Sequence, residues 1–218
     1  MAEQVPNVCA GPFGSFYDFY IERPWLVRII GRAIWGIDGS VLYKSMEPIA
    51  QAPAGATIAD VPCGGGVALR ALRPEQDVRY LAGDLSLKMV ERAERRARAR
   101  SLRQVESLVA DMTELPFADE EVDLFLSYSG LHMVPDPQRA VAEIARCLKP
   151  GGRLIGTSFF SDASLRARAL FRIGSYSGHA LPPSRDALHG WLDAAGFDQS
   201  EIGPQRGFAT FEGRKPAS

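Results

Sequence analysis

The sequence predicts an α/β fold in which a mostly parallel sheet carries helices on both faces. Three observations support this. Short apolar runs of strand length alternate with longer amphipathic stretches of helical period. The run Ile58 to Gly66, IADVPCGGG, carries a strand into a glycine-dense turn. The next strand ends in LAGDLS, which places the Asp84 carboxylate 18 positions after Gly66.

Element by element, strands are expected near 57–61, 78–83, 105–110, 122–128 and 153–159, with helices near 66–73, 86–100 and 137–148. A further helix over 184–195 should stop at Gly196, as a C-terminal cap would, before two short strands near 198–203 and 206–212. Upstream, Pro24 is well placed at a helix start. Apolar residues recur at helical spacing over 25–37, with Arg28 and Arg32 one turn apart on another face.

The glycine turn and Asp84 together describe a nucleotide-shaped pocket. Glycine lets the backbone approach a ligand closely, and a carboxylate at the tip of the following strand can accept both hydrogen bonds of a ribose diol. The dinucleotide fingerprint needs a third glycine where this chain has Leu69, and no GxxxxGK[ST] phosphate loop is present. Lysine follows none of the six tyrosines at the four-residue spacing of a short-chain dehydrogenase. Pyrophosphate, triphosphate and hydride chemistry are therefore disfavoured.

The remaining pattern resembles the class I S-adenosylmethionine-dependent methyltransferases, in particular the small single-domain group similar to quinone-biosynthesis enzymes. Four stretches carry the resemblance, in the family's order: ADVPCGGG, GDLSLKMVERA, VADMTELPFADEEVDLFLS, and LHMVPDPQRAVAEIARCLKPGGRLIGTSF. Asp60, Gly64 and Gly66 match the family's acidic residue and glycine turn, whereas Pro62 stands at its first glycine. The resemblance spans about residues 45–212. It implies a Rossmann-like three-layer sandwich whose seven-stranded sheet takes one antiparallel strand from the final hairpin, covered by an N-terminal helical lid over residues 1–44. It also implies S-adenosyl-L-methionine as cofactor and S-adenosyl-L-homocysteine as product. The residues expected around the cofactor are Tyr17, Asp60, Pro62, Cys63, Gly64, Gly66, Asp84, Leu85, Met89, Asp111, Met112 and Ser127. Asp84 would hold the ribose, Asp111 and Met112 the adenine ring, and Tyr17 or Tyr20 the methionine end. Asp60 would orient the loop and the amino group, with Cys63 as a small wall residue.

His132, in SYSGLHM, is the one histidine expected near this site and the candidate general base. Relatives often carry a second histidine where this chain has Met133. The end of the fourth strand, Ser127-Tyr128-Ser129-Gly130, lacks the Asn/Asp-Pro-Pro-aromatic signature of enzymes that methylate amide or nucleobase nitrogens. The aromatic-rich stretch 12–44 and the long connection 160–183, with Phe171, Tyr176 and His179, are expected to wall a small, apolar acceptor. A non-catalytic cofactor-binding sensor or assembly protein is the second reading.

Composition fits one globular unit of 218 residues, 46% hydrophobic and 23% charged. A formal net charge of −1 supplies no general field for nucleic acid. Cys9, Cys63 and Cys147 lack the paired spacing of a zinc site, so no metal is expected. The run ERAERRARAR reads as a solvated helix face. Without a basic start and apolar core at the N-terminus, or a long uncharged apolar run, a cytoplasmic location is expected. The amphipathic 25–37 stretch leaves peripheral membrane contact open.

Overall fold

The computed structural model describes residues 23–32, 38–165, 168 and 182–217. Tyr17, Tyr20, Trp35, Phe171, Tyr176 and His179 lie outside the described residues. The strands are β1 (Ala56–Asp60), β2 (Val78–Asp84), β3 (Val105–Val109), β4 (Val122–Tyr128), β5 (Leu148–Phe159), β6 (Asp198–Ile202) and β7 (Phe208–Arg214). They form one sheet in the order β3-β2-β1-β4-β5-β7-β6. Only β7 runs antiparallel, between β5 and β6, as the expected hairpin insertion requires.

The alternation of side chains along the strands builds two apolar layers. Ala59, Val61 and Phe125 face one side, where helices α5 (Pro137–Cys147) and α6 (Arg185–Ala194) contribute Val141, Ile144, Leu188 and Leu192. Ile58, Tyr80, Leu126 and Ile155 face the other. There, α4 (Leu87–Ala99) packs Ala93 and Ala97, while the short helices α2 (Ser40–Lys44) and α3 (Glu47–Ala50) bring Leu42 and Ile49. Met46, between α2 and α3, packs there too, and the Tyr128 hydroxyl donates to the Ser45 carbonyl at 2.9 Å, fixing that corner onto β4. Upstream, α1 (Pro24–Ile30) buries Val27 and leaves Trp25 and Ile29 exposed.

Helix ends follow their local chemistry. Asp136 accepts the Arg139 N–H at 3.0 Å in front of Pro137, and Ser184 accepts the Ala187 N–H at 3.0 Å. At the end of α6, Gly196 takes φ +80°, Phe197 N–H donates to Leu192 at 3.0 Å and Gly196 N–H to Asp193 at 3.0 Å. This paired closure is the Schellman arrangement, one form of the C-terminal cap expected at that glycine.

Two boundaries differ from expectation. The 66–73 helix is a 3-10 helix over Val67–Ala71, after which Leu72 is extended. Arg73 precedes Pro74, whose ring disfavours the α conformation there, so an α-helix has no room to propagate. Strand β5 begins at Leu148 rather than 153 because Leu148 pairs with Val122 before a register shift that absorbs the Lys149–Gly152 turn.

Glycines at close approaches set contrasting expectations. A Cβ on Gly156, in β5, would fall on the Phe211 ring and the Ser127 carbonyl, which belongs to the neighbouring strand's backbone. Gly156→Ala should therefore cost about 1–3 kcal/mol. Gly190, inside α6, has nothing within 4 Å of its would-be Cβ. Gly190→Ala should stabilise by about 0.5–1 kcal/mol. Urea unfolding midpoints of the two variants should move in opposite directions.

Candidate functional site

The carboxyl ends of β1, β2 and β4 meet around the turn 61–66. Val61 N–H donates to Leu126 at 3.1 Å on β4, while Cys63 N–H donates to Gly83 at 2.7 Å on β2. Gly64 N–H donates to Asp84 Oδ2 at 3.0 Å. The Val61–Pro62 peptide bond is cis. The turn closes with Gly66 N–H on Cys63 at 2.9 Å, and Gly66 adopts φ +79°, the left-handed region glycine favours. A Cβ on Gly66 would sit 2.8 Å from Leu69 Cδ1 and 3.2 Å from Ala93 Cα. Leu69 thus fills space beneath the turn instead of supplying a third glycine.

Pro62 packs on a partner the sequence did not advertise. A Cβ on Gly130 would overlap the Pro62 ring and stand 2.9 Å from Ser127 Oγ. The proline at the family's first glycine is accommodated because the loop after β4 supplies a glycine opposite it.

Asp84, 9% exposed, spends one hydrogen bond per oxygen on the turn: Oδ2 on Gly64 and Oδ1 on Ser86 N–H at 2.9 Å. Burial raises its pKa, and the Ser86 and Gly64 donors oppose that rise. Each oxygen retains further acceptor capacity, so shaping the turn and binding a diol are compatible tasks. Asp60, 1% exposed, accepts the Tyr80 hydroxyl on Oδ2 at 2.8 Å. Its other oxygen, Oδ1, is buried without a hydrogen-bond partner among the described residues. Burial pushes the carboxyl up to about 7, opposed by the Tyr80 hydrogen bond and reinforced by the Asp84 charge. Tyr80 was not singled out in the sequence; a tyrosine hydroxyl in the strand that follows the one ending in Asp60 is the signal that could have found it.

The remaining expected residues take varied places. Cys63 is buried, and burial with the Asp60 and Asp84 charges pushes its thiol up, which suits a wall residue and not a nucleophile. Ser127 is fully buried, with Oγ unpartnered among the described residues. Met89 and Met112 are buried, whereas Leu85 is 59% exposed just past β2. Asp111 is exposed after β3, and its Oδ1 accepts both the N–H of Thr113, at 2.8 Å, and its hydroxyl, at 2.7 Å.

His132 lies in the loop after β4, two residues beyond Gly130, and is 7% exposed. Its Nδ1 lies 3.4 Å from Ser158 Oγ, and its ring meets Phe159 edge-on at 5.3 Å between centroids. His189 is placed elsewhere: its Nδ1 lies 3.2 Å from Ser200 Oγ, joining α6 to the edge strand β6. Among the described residues, no group of three or more His, Cys, Asp or Glu is arranged to hold a metal, and no helix is long and apolar enough to cross a membrane.

Comparisons with known proteins agree with this architecture. The methyltransferase domain family matches residues 59–156. Demethylmenaquinone methyltransferase of Clavibacter sepedonicus is 32% identical over 90% of this chain and 84% of its own. The 27-O-demethylrifamycin SV methyltransferase of Amycolatopsis mediterranei is 36% identical over 78% of this chain, which spans 65% of that relative. A structure of phosphoethanolamine N-methyltransferase 2 of Haemonchus contortus, solved with S-adenosyl-L-methionine, shares the fold with a TM-score of 0.69 at 16% identity, over 80% of this chain and 52% of its own. A relative 32% identical and matched over 84% of its length, and a strand order read independently of it, converge on one conclusion: the chain belongs to the class I S-adenosylmethionine-dependent methyltransferases.

Proposed function

We propose that this methyltransferase acts on a small, apolar acceptor at oxygen or carbon, with His132 as general base. The observation that carries this reading is a buried imidazole against the Phe159 ring, in the loop after β4 whose Gly130 meets Pro62 of the glycine turn. Such a base is useful only when the acceptor is a hydroxyl or an acidic carbon that must lose its proton. Phe159 and Phe208, 4.8 Å apart between ring centroids, add apolar surface on the neighbouring strands. The names of the two relatives point the same way, toward demethylmenaquinone and the 27-O position of a rifamycin.

S-adenosylmethionine, when bound, supplies a methyl group activated on a positively charged sulfur, so the chain's main task is to hold the acceptor in line. The residues present fit that cofactor. The unpartnered Asp60 Oδ1 calls for a donor or a cation, which the ammonium end would supply. Asp84 retains acceptor capacity for the ribose hydroxyls. Gly64 leaves open space where a side chain would stand. Leu85 and Asp111, exposed past β2 and β3, would border the adenine with Met112 beneath. Pro62, Cys63, Gly66, Met89 and Ser127 would form the floor, and Tyr17 would come from the lid.

Three outcomes are expected. Calorimetric titration with S-adenosylhomocysteine should give tight binding that Asp84→Ala weakens by roughly one to two decades, the loss of a charge-assisted hydrogen bond. NADH should not bind, and equal affinity of variant and parent would remove the ribose role. With a hydroxyl acceptor found by screening, His132→Gln should lower kcat by about 10²- to 10⁴-fold while leaving homocysteine-compound affinity intact. A screen returning only very polar acceptors would count against the apolar reading.

The third concerns pH. The unfolded chain releases the Asp60 proton near 3.9, whereas the folded chain keeps it up to about 7. Between these values the folded state holds the extra proton, so this group's contribution to stability falls as pH rises from about 4 to about 7 and is level above. Asp60→Asn should remove that fall, seen as a smaller difference between urea midpoints at pH 5 and pH 8 than in the parent.

A further inference from the structure

We infer that Ser158 is a positioning residue that fixes the tautomer of His132, holding its proton on Nδ1 and leaving the lone pair on Nε2. The inference rests on the reading of His132 as the base and names the side chain that makes it one. Ser158 lies on β5 directly opposite Ala209 of β7, is fully buried, and reaches His132 Nδ1 at 3.4 Å. A serine hydroxyl has one proton to give and two lone pairs to offer. The Phe159 carbonyl, at 3.0 Å, is nearer to the hydroxyl than the ring nitrogen at 3.4 Å and takes its proton, so toward the imidazole Ser158 accepts. An accepting Oγ demands N–H at Nδ1, and a neutral ring with its proton there carries its lone pair on Nε2.

The surroundings fix the ring as well as its proton. Phe159, the residue after Ser158, meets the imidazole at an interplanar angle of 86°, so two successive residues of β5 constrain the ring's position and tautomer together. The contact is long for a hydrogen bond, as catalytic contacts often are before the reacting complex tightens them. The consequence for proton transfer is simple. The acceptor hydroxyl gives its proton to Nε2, the ring becomes an imidazolium, and the Nδ1–H bond to Ser158 is kept throughout.

The test separates this inference from the base assignment. Long-range 15N–1H correlation spectra of the intact protein, with His132→Gln to identify the signal, should show neutral His132 protonated at Nδ1 in the parent and shifted toward Nε2–H in Ser158→Ala. Acceptor turnover in Ser158→Ala should fall roughly ten- to a hundredfold in kcat, the scale on which outer partners of functional imidazoles count. KM should be little changed, and Ser158→Thr should restore the parent tautomer. A parent spectrum with Nε2–H overturns the inference without recourse to any variant, as does an Nδ1–H signal that survives Ser158→Ala. Full turnover in His132→Gln beside the expected spectra would instead remove the base role and leave the tautomer assignment standing.

Discussion

The site depends on one interaction: the Asp84 carboxylate accepting the Gly64 and Ser86 N–H groups. Those two bonds join the turn after β1 to the end of β2 and the start of α4, three pieces of chain that must share one geometry for a pocket to exist. Burial works against the carboxylate's charge and the donors work for it. Hydrogen bonds to a charged group contribute about 1.5–3 kcal/mol, enough to hold a short turn that has little apolar surface of its own. Because a carboxylate offers about four lone-pair sites, the same group can order the turn and still recognise a diol.

Asp60 shows the complementary case. Its carboxyl is buried with one oxygen satisfied by Tyr80 and the other left over. Orphaned buried polar atoms are scarce in folded proteins because each forfeits solvation without return. This one stands at the tip of a central strand, next to an open glycine turn, and is compatible with the proposed contact to the cofactor's ammonium end. The raised pKa follows from burial, which penalises the charged form; the Asp84 charge adds to it and the Tyr80 hydrogen bond opposes it.

Much of this was legible in the sequence. Strand and helix alternation gave the layers, LAGDLS gave the carboxylate, and the glycine after the last helix gave its closure, because each of these signals is local. What was not legible depends on pairs distant in sequence. Nothing around Pro62 announces that Gly130 stands opposite its ring, nor does Gly130 announce Pro62. Tyr80 becomes a site residue only through the β1–β2 register that sets it beside Ile58, two register pairs before Asp60 and Ala82. Ser158 matters only because β5 runs past the loop that carries His132. The helix expected near 66–73 is a shorter 3-10 helix over Val67–Ala71, because apolar spacing alone does not fix the helix type or its end.

The parts proposed to choose the acceptor are held by a different device from the parts proposed to hold the cofactor. Arg185, at the start of α6, donates to Asp162 at 2.9 Å, to the Gly203 carbonyl at 2.7 Å and to the Gln205 carbonyl, with its guanidinium over the Phe160 ring. Asp162 in turn accepts the Gly207 N–H at 2.9 Å. Gln205 then reaches the N-terminal segment, accepting the Asp38 N–H at 3.2 Å and donating to the Phe208 carbonyl at 2.7 Å. The exit of β5, the entry of α6 and the stretch before α2 are therefore all tied to the hairpin between β6 and β7. That hairpin contains the one antiparallel strand and is separated from the cofactor turn by β4 and β5. The described ends of the segments proposed to choose the acceptor are thus anchored to this hairpin, away from the Asp84 contacts with the Gly64 and Ser86 N–H groups.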